Sequence, residues 1–210
     1  MRKVKWAIWG VLALLMAGFL NYTLPKHDVV RVTGLDNRQT TVSWFNSMFY
    51  ASPDSGTAES STNRFLRLIY TANPDGSTGT VYRNEDTGWI WPPYFKYDSS
   101  SLQGAAANYQ STAAAPKWVM ITHYGWRFPV LSIYPNAIRI KDVTDLGGPD
   151  YSYFPWLNLL ILTLLAGIAF MVRRMWLQFW ERMVDPAVAE VQEAGDRTRG
   201  WFSRLFRRKP

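Results

Sequence analysis

The chain has 210 residues, of which 48% are hydrophobic, a formal net charge of +7 and no cysteine, which excludes disulfide staples, thiolate metal sites, a thiol nucleophile and a lipidated cysteine. Its positive charge lies outside the middle: residues 1–24 carry three basic and no acidic side chains, residues 25–152 carry 11 of each, and residues 153–210 carry nine basic and five acidic. Basicity placed this way marks the flanks of apolar blocks and argues against a nucleic-acid footprint.

The first apolar block, WAIWGVLALLMAGFLNYTL (Trp6 to Leu24), holds no charged side chain. At about 1.5 Å per residue its length crosses roughly 30 Å of hydrocarbon. A cleaved signal peptide is the rival reading, because MRKVK forms a basic leader. Cleavage needs a small-x-small pair, however, and Ala17 is followed two places on by Phe19. The block is therefore expected to remain as an uncleaved anchor.

Residues 25–152 carry more strand signals than helical ones. DVVRVTG (28–34) has three valines among polar residues and ends on glycine, and RFLRLIYTA (64–72) is a clearer strand. The turn cluster NPDGSTG (73–79) leads to TVYRNEDTG, which predicts a hairpin with a loop longer than two residues. KWVMITHY (117–124) and PVLSIYPNAIRIKDV (129–143) supply two or three further strands. Five or six short strands predict a small barrel or open β-roll. SPDSGTAESSTN (52–63) reads as a polar loop and SLQGAAANYQSTAAA (101–115) as a short helix, while TTVSWFNSMFY (40–50) is open between strand and helix.

Two stretches are rich in rings: GWIWPPYFKY (88–97) and HYGWRFPVLSIYPNA (123–137). Tryptophan and tyrosine bring large apolar area with one polar handle, so the first stretch is expected to cover the open end of a small barrel, with Pro92 and Pro93 fixing an extended path. The functional alternatives are a stacking platform for sugar or peptide, and a loop resting on lipid headgroups. Trp89, Trp91, Tyr94, Phe95, Trp126 and Arg127 are the candidate binding residues.

Chemistry is poorly supported. His27 and His123 are the only histidines, and no H-x-x-x-H or related spacing joins them to other ligands, so no metal and no cofactor is expected. A G-x-S-x-G elbow and a phosphate-cradling loop are both missing from the sequence. Glu85 and Asp86 are adjacent, which on a strand points them to opposite faces, and they read as a solvated strand end. A hydrolase would require His123 beside a carboxylate and a hydroxyl within about 3 Å. The expectation is a non-enzymatic protein.

The second apolar block, PWLNLLILTLLAGIAFMV (155–172), opens on a proline suited to a first helical turn and is followed by Arg173 and Arg174. Each cation near the bilayer centre costs about 2.5 to 3.5 kcal/mol, and short basic flanks stay in the cytoplasm. Both termini are then cytoplasmic, and residues 25–152 are periplasmic. Neither block contains Asp, Glu, Lys, Arg or His, which argues against transport by this chain alone. RRMWLQFWERMV continues the helix to Asp185 and Pro186. In RTRGWFSRLFRRKP, Trp201, Phe202, Leu205 and Phe206 share one helical face, while Arg199, Arg204, Arg207, Arg208 and Lys209 fill much of the rest. That pattern predicts an amphipathic tail lying on anionic lipid, each basic residue contributing roughly 1 kcal/mol before screening; a disordered basic tail that only enforces topology is the alternative.

VYRNEDTGWIWPPYFKYDSSSLQ, THYGWRFPVLSIYPNAIRI and LPKHDVVRVTG resemble an uncharacterised bacterial membrane-protein family, domain of unknown function 1523, over most of residues 20–145. The resemblance implies a bacterial envelope protein with no assigned reaction and carries over no catalytic residues. The expected architecture is a membrane protein with two transmembrane helices flanking a small mainly-β extracytoplasmic domain: residues 1–24, 25–152, 153–174 and 175–210 in turn. The expected role is that of an interaction module or accessory subunit of an envelope complex in the inner membrane, partnered by the bilayer and by another membrane or envelope protein, with self-association left open and nucleic acid excluded. A binding module for cell-wall glycan, peptide or lipid is the second reading, and an envelope hydrolase the third.

Overall fold

The first apolar block forms α1, Arg2–Thr23, in spite of Gly10 and Gly18, and Pro25, one residue before the first strand, follows its end. The computed structural model describes residues 2–41, 47–50, 63–87, 91–184 and 186, which fall into two units, Met1–Pro155 and Trp156–Pro210. The polar loop expected at 52–63 and the basic tail lie almost wholly outside those residues.

In the first unit, β1 (Lys26–Thr41), β2 (Asn63–Ala72), β3 (Tyr82–Arg83), β4 (Trp118–Tyr124) and β5 (Asn136–Asp142) close into a barrel in the order β1-β2-β3-β5-β4. The long β1 serves two antiparallel neighbours in succession: residues 26–31 pair with β4 and residues 31–41 with β2. The register shifts between Val32 and Gly34, where an extra residue bends the strand from one partner to the other. Of the two alternatives, barrel and open roll, the barrel forms. The stretches 117–124 and 129–143 supply two strands, β4 and β5, within the two or three expected, and Pro129–Leu131 closes a 3-10 turn between them.

Period-two alternation places Val30 and Val32 of β1, and Val119 and Ile121 of β4, in one core with Ile69, Tyr82 and Ala137. Helix α2, Ser99–Asn108, adds Ala106 to that same core. Its small side chain lets the helix approach closely, and burial of each neighbouring valine or isoleucine contributes about 1.5 to 3 kcal/mol. Asp98 caps α2 by accepting from Ser101 N at 2.8 Å. Asp86 accepts from Ser99 N at 2.8 Å and Ser99 Oγ at 3.2 Å, so it anchors the helix start instead of being merely a solvated strand end. On the other face of β2, Leu66 and Leu68 pack with Tyr50.

In the second unit, α3 spans Trp156–Phe179 and continues through a π-helical turn, Trp180–Val184. Pro155 precedes it, and Thr163 donates back to the Leu159 carbonyl at 2.8 Å. Both α1 and α3 are long and apolar enough to cross a membrane, and both leave their apolar surfaces exposed. The chain thus carries two apolar helices flanking a mainly-β central region.

Candidate functional site

The last carbonyls of a helix have no partner within it. In α1 two of them are met by the ring-rich stretches: Gly125 N donates to the Tyr22 carbonyl at 2.9 Å, and the Tyr94 hydroxyl donates to the Thr23 carbonyl. Gly125 holds φ 94°, a left-handed conformation that favours glycine at this position. Rings complete the grip. Trp91 stacks on Phe19 with centroids 5.3 Å apart and planes 14° from parallel. Tyr22 meets Trp126 edge-on at 5.3 Å and Tyr124 at 6.0 Å, and Tyr94 stacks on Tyr124 at 5.0 Å. The Trp126 indole N–H donates to Asn21 Oδ1 at 2.9 Å, and Lys26 Nζ shares that acceptor at 3.0 Å. The result is an aromatic collar around the end of α1.

Within GWIWPPYFKY the described residues alternate. Pro92 and Lys96 are buried and Tyr94 is half-buried, while Trp91, Pro93, Phe95 and Tyr97 face outward. The stretch therefore seals the barrel with one edge and presents rings with the other. Trp91 is 58% exposed, Phe95 51% and Trp126 41%, far above what a core ring would show. The expected extended path is not followed throughout: the chain bends at Trp91 and Pro92, whose peptide bond is cis, and Tyr94 N closes on the Pro92 carbonyl at 2.9 Å. Arg127 is turned along its own loop, donating to the Ile133 carbonyl at 3.0 Å with its guanidinium over the Tyr134 ring. Trp89 lies outside the described residues, as do Arg199, Trp201, Phe202, Arg204, Leu205, Phe206, Arg207, Arg208 and Lys209.

Behind the collar, polar side chains lie beside the apolar core, among them His123, which is buried, and Asp28, which is partly exposed. Asp28 and His123 continue the inward phase of β1 and β4, and β3 brings Tyr82 to the same place. The Tyr82 hydroxyl donates to Asp28 Oδ2 at 2.5 Å, and His123 Nε2 lies 2.9 Å from that oxygen, within ion-pair range but off the hydrogen-bond axis. Burial alone raises the Asp28 pKa, but the imidazole and the phenol outweigh it and hold the carboxyl below its ordinary range. Tyr82 is pushed up by burial and by that carboxylate. His27 packs against Tyr153 with ring centroids 3.9 Å apart and planes tilted by 32°, and desolvation followed by the charge of His123 lowers its pKa. A carboxylate and a hydroxyl thus accompany His123, but the acid stands between the other two. In a nucleophilic triad the histidine must bridge acid and hydroxyl; here the carboxylate stands in that place.

Lys96 reaches inward from the aromatic stretch, donating to Asn84 Oδ1 at 2.5 Å and the Ala137 carbonyl at 2.7 Å. Desolvation lowers its pKa to about 7 against the opposing charges of Asp86 and Glu85. Asn136 closes the weakest seam. Strands β3 and β5 share the single register pair Arg83↔Asn136, and beyond it the Asn136 amide accepts from Glu85 N and donates to the Glu85 carbonyl, both at 3.0 Å, as a strand backbone would. Arg83 is buried beside Glu85 at 3.0 Å with its guanidinium over Tyr50. Sequence reasoning missed Asp28, Tyr82, Asn84, Lys96 and Asn136. The phase of DVVRV marks Asp28, and a lone cation inside a run of rings marks Lys96; the amides give no such signal. Among the described residues no group of three or more His, Asp or Glu side chains is placed to hold a metal ion.

The chain matches, over residues 1–180, the model of a family described as "Protein of unknown function (DUF1523)". It is similar to an "Uncharacterized protein" of Haemophilus influenzae, 35% identical over 176 residues that cover 81% of this chain and 95% of that protein. No solved structure matches it.

Proposed function

We propose, given that the chain belongs to the DUF1523 family of proteins of unknown function, that it is a non-catalytic, two-span inner-membrane protein whose periplasmic β-barrel serves as an interaction module or accessory subunit of an envelope complex. The observation that carries this reading is the junction of α1 with the barrel. Only Leu24 and Pro25 separate helix from strand, and the helix end is capped and clasped by Gly125, Tyr94, Trp91 and Trp126. A stiff junction fixes the height and orientation of the barrel over the bilayer, as docking to a membrane-embedded partner requires, whereas a flexible linker would let it wander. Uncovered apolar surfaces on α1 and α3 and the basic residues at Arg2, Lys3, Lys5, Arg173 and Arg174 support the two spans and their direction.

Photo-cross-linking side chains placed in living cells at the exposed barrel positions Arg38, Phe65 and Arg139 test the module. A discrete adduct with another protein is expected from at least one position. Adducts from none of them, with normal protein levels, would sink the accessory-subunit reading. The exposed faces of Trp91, Phe95 and Trp126 favour a second reading, a ligand-binding module for glycan, peptide or lipid.

A further inference from the structure

We infer that the outward rings of the collar are a lipid-binding surface: Trp91 and Trp126 sit in the headgroup and upper acyl region of the outer leaflet of the membrane that α1 crosses, and seat the barrel on it. This rests on the reading of α1 as a membrane span. The argument is one of depth. Trp91 stacks on Phe19, and Phe19 lies four residues before Thr23, the last residue of the helix. At about 1.5 Å rise per residue, that places the Trp91 ring about 6 Å, roughly one turn, below the helix end. Any bilayer that takes up the apolar length of α1 therefore takes up Trp91 as well. Trp126 is fixed at the level of Asn21 and Tyr22 by its indole hydrogen bond and its edge contact. Both indoles keep large exposed areas in spite of these contacts. Indole is the side chain suited to this depth, with an apolar body for acyl chains and a dipole for the headgroups. Lys26, one residue past Pro25 and bonded to Asn21, sets an ammonium at the same level, where lipid phosphates lie. A soluble sugar or peptide would have to displace lipid to reach Trp91, so the bilayer is the occupant this geometry favours.

The test uses the full, unaltered chain in vesicles of phosphatidylethanolamine and phosphatidylglycerol doped with a phospholipid that carries a photoactivatable diazirine near its headgroup. After illumination the adducts are mapped by mass spectrometry. Adducts are expected on peptides holding Trp91–Tyr97 and Gly125–Phe128 in addition to α1. Adducts confined to α1 and α3 would overturn the seating and leave the anchored reading intact, with a protein or glycan occupant for the rings. Adducts on neither helix would remove the anchored reading, and the seating with it. Because the chain has no cysteine, spin labels supply a second readout. Labels at Trp91→Cys and Trp126→Cys are expected to collide with oxygen more, and with a water-soluble nickel complex less, than a label at Arg38→Cys, approaching the behaviour of Leu14→Cys. Values at 91 and 126 that match Arg38→Cys would overturn the seating.

Discussion

At the scale of single residues, the barrel interior depends on a few polar side chains placed where an apolar one would be expected. Lys96 is the clearest. Its amine titrates near 7 in the folded chain and near its ordinary 10.5 when unfolded. Below about pH 7 both states are charged and the full cost of burying the ammonium is present. Between about 7 and 10.5 the unfolded chain binds the extra proton, so stability rises with pH and levels off above that window. Thermal unfolding in detergent should show this rise, and Lys96→Met should lose most of it whatever its own midpoint. Asn136 is a seam closer. Asn136→Ala removes both hydrogen bonds to the Glu85 backbone, and a loss of about 3 kcal/mol is expected in urea unfolding. An equal midpoint for variant and parent would mean the seam is held elsewhere. Neither asparagine nor lysine could be assigned these tasks beforehand, because their partners lie up to 51 residues away.

At the scale of elements, legibility followed the density of β-branched and apolar residues. The strands at 28–34, 64–72 and 117–124 are rich in them and all form, though β1 outruns its signal because Asp36–Thr41 is a polar ribbon held by pairing with β2. Two-residue β3 carries no period and is positioned by its neighbours. The short helix expected in 101–115 appears as α2, starting two residues earlier because Asp98 and Asp86 take its first free N–H groups. The ring-rich stretches were legible as important but not as a clasp, since what they hold is the helix some 70 to 105 residues before them. The clasp predicts a separable effect. Tyr94→Phe removes the bond to the Thr23 carbonyl and should speed amide exchange in the last turn of α1, while exchange in β2 and β4 stays unchanged. Equal protection of that turn in both proteins would show the hydroxyl to be dispensable.

At the scale of the whole molecule, charge asymmetry and two apolar blocks were enough to foresee helices at both ends of a mainly-β region. The proposed topology makes a direct prediction in a chain that has no thiol of its own. A membrane-impermeant maleimide should reach Arg38→Cys once the outer barrier is opened, and reach Met183→Cys only after the inner membrane is lysed. The opposite order would invert the chain.

The two-residue step from α1 to β1 has a mechanical side. A helix whose terminal carbonyls are already taken, and whose next residues enter a barrel strand, contains no swivel. Rotation or rocking of α1 is delivered undamped to the barrel, as a shaft turns a fixed wheel. A fluorescent reporter on Arg38→Cys should then tumble with the slow correlation time of a membrane-embedded body, and lose that slowness when Gly-Ser residues are inserted between Leu24 and Pro25.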